Sequence, residues 1–142
     1  MTESVDTNVL LRAAIDVGDG QTIAARALLA SNDRTFVVHL LVFAEFVFVL
    51  TTHYGMSRVQ AATLVRWVMG IESVDCPRDL IEASIDLFQT HPKLSFEDCL
   101  LAEQARNENA VPLWTFDRKL ANQHPVAQLV PIPESLNDGA AS

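Results

Sequence analysis

Four acidic residues stand at positions where a carboxylate could do chemistry. Glu45 is the single formally charged residue in the apolar run 36–50, FVVHLLVFAEFVFVL. Asp6 and Asp117 each follow a predicted strand, and Asp98 falls in the first turn of a predicted helix. The pattern contains no histidine or cysteine, so it predicts an oxygen-ligand site suited to Mg²⁺ or Mn²⁺ rather than Zn²⁺. Without a cation, such a cluster would repel itself and raise its own pKa values.

Glu45 is the most informative of the four acids. Its neighbours at helical spacing, among them Leu41 and Phe48, are apolar, so we expect it to be buried. Burying an unpaired carboxylate costs several kcal/mol, about ten times the few tenths that separate helix propensities. Glu45 is therefore paired, protonated or bound to a cation. The alternative is that the edge of the helix reaches solvent and the carboxylate with it.

The other three acids each have an ordinary structural explanation. Asp6 and Asp117 could be N-caps of the helices that follow them, and a carboxylate such as Asp98 is favoured near a helix N-terminus. A shared site is favoured by the combination more strongly than by any single residue. The combination consists of two aspartates at strand ends, Glu45 in its apolar run, and Asp98. In open α/β sheets, ligands bind beyond the carboxyl ends of the strands, where Asp6 and Asp117 are expected to lie.

Strands and helices alternate along the chain, which predicts a parallel sheet covered by helices on both faces. Predicted strands end at Val5, Val38, Cys76, Phe116 and Ile132. Predicted helices cover 9–15, 22–30, 40–54, 58–69, 78–90, 96–108 and 118–121. We expect one domain over residues 1–132, with the overall form of a three-layer α/β/α sandwich. The segment 133–142 lacks core residues and is expected to be disordered.

Composition limits the class of protein. The chain has 142 residues, 49% of them apolar, enough for one core. Run 36–50 is shorter than the roughly 17 to 25 residues of a membrane span, and we expect no membrane association. Cys76 and Cys99 have no metal-site or disulfide spacing, which favours the cytoplasm. The net charge of -8 argues against nucleic-acid binding, but bound cations can reverse the local potential. His53, His91 and His124 are assigned no role.

Four segments resemble the PIN domain, and more closely the VapC-type toxin ribonucleases of bacterial toxin-antitoxin pairs. They are SVDTNVLL near the start, VFAEFVFVL in the first third, and FEDCLLAEQA and WTFDRKL near the end. The resemblance covers nearly the whole chain and preserves order and spacing. Where relatives often have a serine before the long helix, this chain has His39.

The resemblance implies a catalytic metal site formed by Asp6, Glu45, Asp98 and Asp117. Asp98 is preferred to Glu97, because it shares a helical stripe with apolar residues such as Leu101. Thr7 and Asn8 match the first family motif, and Thr115 matches the hydroxyl residue that often precedes the last acid. Arg12 and Arg118, each close in sequence to one of the acids, are candidates for contacts to RNA phosphates, with solvated surface arginines as the alternative.

The resulting hypothesis is a Mg²⁺- or Mn²⁺-dependent endoribonuclease that uses metal-activated water, forms a homodimer and is held inactive by a cognate antitoxin. One alternative is a non-catalytic PIN-like module that only binds a partner protein. Another is a haloacid-dehalogenase-like phosphatase, which also places an aspartate after its first strand. Such phosphatases have Asp-x-Asp, whereas this chain has Asn8 at the second acidic position. The sequence contains no recognisable module for reading bases.

Overall fold

A computed structural model describes residues 2–16 and 18–136. In this structure, short strands alternate with longer helices along the chain. The strands are β1 (Thr2–Ser4), β2 (Thr35–Val37), β3 (Val74–Asp75), β4 (Leu113–Thr115) and β5 (Ala127–Leu129). The helices are α1 (Thr7–Ala14), α2 (Gly20–Leu29), α3 (Leu40–Thr52), α4 (Arg58–Met69), α5 (Arg78–Thr90), α6 (Phe96–Asn107) and α7 (Arg118–Gln123). A single 3₁₀ turn, Glu134–Leu136, follows β5. The mixed α/β class is confirmed, and the predicted helix bounds agree to within about two residues.

All strand pairs among the described residues are parallel. They form a three-stranded sheet in the order β1-β2-β3 and a separate two-stranded ladder of β4 and β5. In the larger sheet, Phe36 of β2 lies between Glu3 and Val74. The polar sequence of β1 is compatible with a strand because β1 is a short edge strand whose outer residues face solvent.

The core is one apolar cluster between the helices and the sheet. Helix α3 contributes Phe43, Phe46, Val47 and Leu50, whose i, i+3, i+4, i+7 spacing gives one continuous buried face. This helix packs against α1, α4 and α6, while α5 packs between α4 and α6. Helix α3 is thus the central helix, and its placement decides where Glu45 lies.

Local sequence signals define the start and end of several helices. Ser57 and Gln60 form a reciprocal capping box at the start of α4. The connection from α3 turns at Gly55, where φ is +65°, a conformation that glycine adopts without steric strain. His39 precedes α3 without a side-chain cap. No helix in the described ranges 2–16 and 18–136 combines the length and apolar character needed to cross a membrane.

The segment 133–142, predicted to be disordered, lies largely outside the described residues. Its described part, 133–136, includes the 3₁₀ turn and exposes its side chains to solvent.

Candidate functional site

Asp6 and Thr7 lie where the chain leaves β1 and begins α1. Asp6 is the N-cap of α1, and its Oδ1 accepts a hydrogen bond from the Thr7 backbone N–H at 2.6 Å. The cap explanation is therefore realised for Asp6, whose side chain nevertheless remains exposed. Thr7 is buried, and its hydroxyl donates to Glu45 Oε2 at 2.9 Å. The first motif and the central helix are thus joined by a direct side-chain contact.

The expectation that Glu45 is buried is wrong. Glu45 lies on the solvent side of α3, together with Leu41, which is 70% exposed, and Phe48, which is 57% exposed. The sequence could not show this, because the outer face of α3 is as apolar as its inner face. The alternative, in which the edge of the helix and its carboxylate reach solvent, is the one that the structure has, and the Thr7 hydroxyl donates to Glu45 there. A carboxylate in this position is accessible to a ligand without being fully desolvated.

Asp98 occupies the first turn of α6. Ser95 is the N-cap, and its Oγ accepts a hydrogen bond from the Asp98 backbone N–H at 3.1 Å. This cap fixes the backbone position of Asp98 at the start of α6. The Asp98 side chain is half-buried, whereas Glu97 is exposed and lines a cavity of about 510 Å³ beside Phe48. The sequence favours Asp98 over Glu97 because Asp98 shares a helical face with apolar residues such as Leu101. That face is only partly buried, because Leu101 is exposed.

Asp117 stands between β4 and α7. Its Oδ1 accepts from the backbone N–H groups of Lys119 and Leu120, at 2.9 and 3.3 Å, so Asp117 is the N-cap of α7. The Thr115 hydroxyl oxygen accepts from the Asp117 N–H at 2.9 Å, which holds the turn that presents the acid. Asp117 and Arg118 are both exposed.

The structure links two of the four predicted acids directly. Asp6 and Glu45 are joined through Thr7, Asp98 lies on α6, which packs against α3, and Asp117 stands before α7. Among residues 2–16 and 18–136, no three His, Cys, Asp or Glu side chains are grouped closely enough to hold a metal ion. Like charges have no electrostatic reason to converge unless a cation compensates them. The carboxylate donor set itself has the chemistry that Mg²⁺ and Mn²⁺ prefer.

A buried histidine to which the sequence assigned no role connects the end of α7 to α6. His124, the C-cap of α7, is 1% exposed, and its Nε2 lies 2.7 Å from Oε2 of Glu103 on α6. The Val126 backbone N–H donates to His124 Nδ1 at 3.2 Å, so Nδ1 carries no proton and Nε2–H donates to Glu103. Glu103 is 8% exposed. Helical periodicity places Glu103 among buried residues of α6, but nothing in the sequence identifies His124 as its partner.

Arg58 fixes the turn that leads into α6. Its Nη1 lies 2.7 to 3.3 Å from the carbonyl oxygens of Phe88, His91 and Leu94, and its guanidinium is 4.1 Å from the centre of the Phe88 ring. Desolvation by burial lowers the pKa of Arg58, and the nearby Cys99 opposes that shift. Phe88 lies in the last turn of α5, where carbonyls lack partners within the helix, whereas His91 and Leu94 belong to the connection that follows it. The position of Asp98 therefore depends on Arg58 through this turn.

The two predicted phosphate-binding arginines differ in surroundings. Arg12 is half-buried and lines two cavities beside α1, together with Asn8. Its guanidinium has no hydrogen bond or ion pair with any residue in the described part of the chain. Arg118 is exposed and has an interaction of its own. Arg12 is thus the better placed of the two to receive an external anion.

Comparison with known proteins gives the family. The solved structure of VapBC2 from Rickettsia felis, bound to a DNA fragment from its promoter, contains a chain that is 18% identical, with a TM-score of 0.39. That similarity covers 92% of this chain and 100% of the other. A search of curated protein sequences found no match. The family model of the PIN domain matches residues 4–124, so the chain belongs to the PIN domain family.

Proposed function

We propose that this chain is a metal-dependent endoribonuclease and the toxin component of a toxin-antitoxin pair. PIN domains are generally nucleases, and the family match spans all four predicted acids. The observation that carries the proposal is the contact between Thr7 and Glu45, which joins two family motifs that lie 38 residues apart. The Thr7 hydroxyl holds one oxygen of the exposed Glu45 carboxylate and leaves the group accessible, which suits a metal ligand.

Asp6, Glu45, Asp98 and Asp117 would hold the ion, which we infer to be Mg²⁺ or Mn²⁺ because all four donors are carboxylates. The chemistry supplied with a bound divalent ion is a lowered pKa for water and neutralisation of charge on the reacting phosphodiester. Neutralising the acids also removes their mutual repulsion, so we expect the four carboxylates to approach one another when the ion binds.

Other residues of the motifs orient these acids. The Thr7 hydroxyl fixes one oxygen of Glu45, and Thr115 holds the turn before Asp117. Asn8 and Arg12 lie beside this region on α1, where a phosphate of the RNA strand can reach them. Arg118 is proposed as a second phosphate contact, from its position next to Asp117.

The test is cleavage of RNA with and without Mg²⁺ or Mn²⁺, comparing the wild type with Asp6→Asn and Glu45→Gln. We expect each variant to lower the rate by about 100-fold or more, since a metal supplies several kcal/mol of stabilisation to such reactions. Glu72→Gln is the matched control, because Glu72 is an exposed acid in the turn after α4. Undiminished cleavage by folded Glu45→Gln, or equal cleavage in excess EDTA, contradicts the mechanism.

A non-catalytic interaction module is the second candidate. It is favoured by the absence, within residues 2–16 and 18–136, of three grouped metal-binding side chains. A folded protein that binds its antitoxin but cleaves no RNA with either ion would establish it. A phosphatase of the haloacid-dehalogenase type has lost its support, because the chain belongs to the PIN family and lacks the second aspartate.

The proposed partners are a cognate antitoxin protein and a second copy of this chain, both in the cytoplasm. Leu41, an exposed apolar side chain on α3, provides a surface that such partners could cover. Sedimentation of the purified chain tests the dimer, with a single species of 15.6 kDa as the contradicting result.

A further inference from the structure

A cavity of about 490 Å³ opens between α1 and the C-terminal half of α3. Its volume falls within the roughly 300 to 1,000 Å³ typical of small-ligand sites. Its walls combine an amide, a cation, a hydroxyl and three aromatic rings, from Asn8, Arg12, Phe48, Thr52, His53 and Tyr54. Neither the metal-site proposal nor core packing uses His53 or Tyr54.

The cavity continues directly from the candidate metal site. Asn8 follows Thr7, whose hydroxyl contacts Glu45. Glu45, Phe48 and Thr52 recur at intervals of three and four residues on the exposed face of α3. A helix rises 1.5 Å per residue, so Glu45 and Thr52 are separated by about 10 Å along this face. A strand whose phosphate lies at Glu45 can therefore extend along α3 into the cavity.

The charge of the cavity favours an anionic ligand. Six of the ten lysine and arginine side chains, all within residues 2–16 and 18–136, contact acidic side chains or backbone carbonyls: Arg26, Arg34, Arg58, Arg66, Arg78 and Arg106. Arg118 also has an interaction. In contrast, Arg12 lines the cavity with no partner in that part of the chain. In a protein of net charge -8, an uncommitted guanidinium beside the candidate site is a specific place for a phosphate.

The rings of His53 and Tyr54 favour a planar group. Their centroids are 4.9 Å apart and their planes meet at 85°, so they form a corner. Tyr54 is 38% exposed, which leaves ring surface accessible from the cavity. Exposed aromatic faces next to cations are how proteins bind unpaired bases of single-stranded RNA.

We propose that this cavity, which we call the α1–α3 cavity, binds one nucleotide of single-stranded RNA next to the cleaved phosphate. The base stacks on Tyr54 with its edge toward His53, and Arg12 pairs with a phosphate of the same strand. The Asn8 amide, which can donate and accept, is placed to hydrogen-bond the sugar or base edge. This inference rests on the proposed nuclease function and assigns its substrate a second point of attachment.

The test measures binding separately from cleavage. A short, fluorescently labelled, single-stranded RNA is titrated with the full chain in excess EDTA, where the proposed metal-dependent cleavage does not proceed, and binding is followed by anisotropy. We expect Tyr54→Leu to weaken binding about 5- to 150-fold, the range that corresponds to one base losing its stacking partner. Tyr54→Phe keeps the ring and should bind like the wild type. Trp67→Leu removes a partly exposed ring from another cavity and is the control.

Arg12→Gln tests the phosphate contact. It should weaken binding and reduce the slope of log K against log salt by about 0.7, the value for one lost contact to a single strand. Lys93→Gln makes the same change of charge at an exposed residue outside the cavity and should leave affinity and slope unchanged. Thermal unfolding of each variant checks that the fold is retained.

The outcomes separate the two proposals. Wild-type binding by folded Tyr54→Leu and Arg12→Gln overturns the α1–α3 cavity as a nucleotide site, even if Glu45→Gln abolishes cleavage. Weakened binding by both variants supports the cavity even if no preparation cleaves RNA, and then only the nuclease proposal fails. If the variants lose affinity for an antitoxin while oligonucleotide binding is unchanged, the cavity is a protein site and the inference is wrong.

Discussion

Replacing His124 with leucine should destabilise the protein, because the buried Glu103 carboxylate loses its hydrogen-bond donor. His124 Nε2–H donates to Glu103 over 2.7 Å, and both side chains are buried. His124→Leu has similar bulk but leaves the Glu103 carboxylate and the Val126 N–H without this partner. Arg106 lies 3.7 Å from the same carboxylate oxygen, but its side chain is half exposed and compensates little.

The size of the effect follows from these contacts. A hydrogen bond to a charged group contributes about 1.5 to 3 kcal/mol, and an unsatisfied buried N–H costs about 1 kcal/mol or more. We therefore expect His124→Leu to lower the free energy of unfolding by about 3 kcal/mol, which corresponds to about 10 °C in Tm. Urea unfolding at constant pH measures this directly.

A double variant distinguishes the pair from simple loss of packing. Glu103→Leu together with His124→Leu removes both polar partners, so the double variant should be more stable than His124→Leu alone. His53→Leu removes an exposed histidine and should change stability by no more than about 0.5 kcal/mol. The reasoning is refuted if His124→Leu costs less than about 1 kcal/mol, or if the effects of the two single substitutions simply add.

Four further predictions concern three other buried or oriented groups. Arg58→Met should lower the free energy of unfolding by about 3 kcal/mol in urea titrations, because it leaves carbonyl groups without their donor; an unchanged midpoint contradicts this. Thr7→Val should reduce kcat/KM for RNA about 10-fold or more while Thr7→Ser retains it, since serine keeps the hydroxyl that orients Glu45; equal rates for both contradict this. Burial raises the pKa of Cys99 to about 12, so iodoacetamide should modify half-buried Cys76 before Cys99 in the folded protein. The unfolded thiol ionises near pH 9.0, so the stability that burial of neutral Cys99 contributes is present below that pH and lost as pH rises toward 12; a pH-independent stability difference between wild type and Cys99→Ala contradicts it.

Local signals allowed most of the secondary structure to be predicted. The helical spacing of apolar residues predicted the helices in the middle of the chain to within about two residues. Strand ends were less accurate: the strand predicted to end at Cys76 is only Val74–Asp75. Short parallel strands are defined by their neighbours rather than by their own residues, so their limits depend on pairing.

The amino-acid sequence determined the class of fold and which acids are candidates, because periodicity, caps and family motifs depend on residues close together in the chain. Tertiary structure alone decided how those residues are presented. Helix α3 is apolar on both faces, so only its packing shows that Glu45 and Phe48 face solvent. The His124–Glu103 pair and the α1–α3 cavity likewise join residues far apart in sequence, and such contacts exist only once the helices have packed.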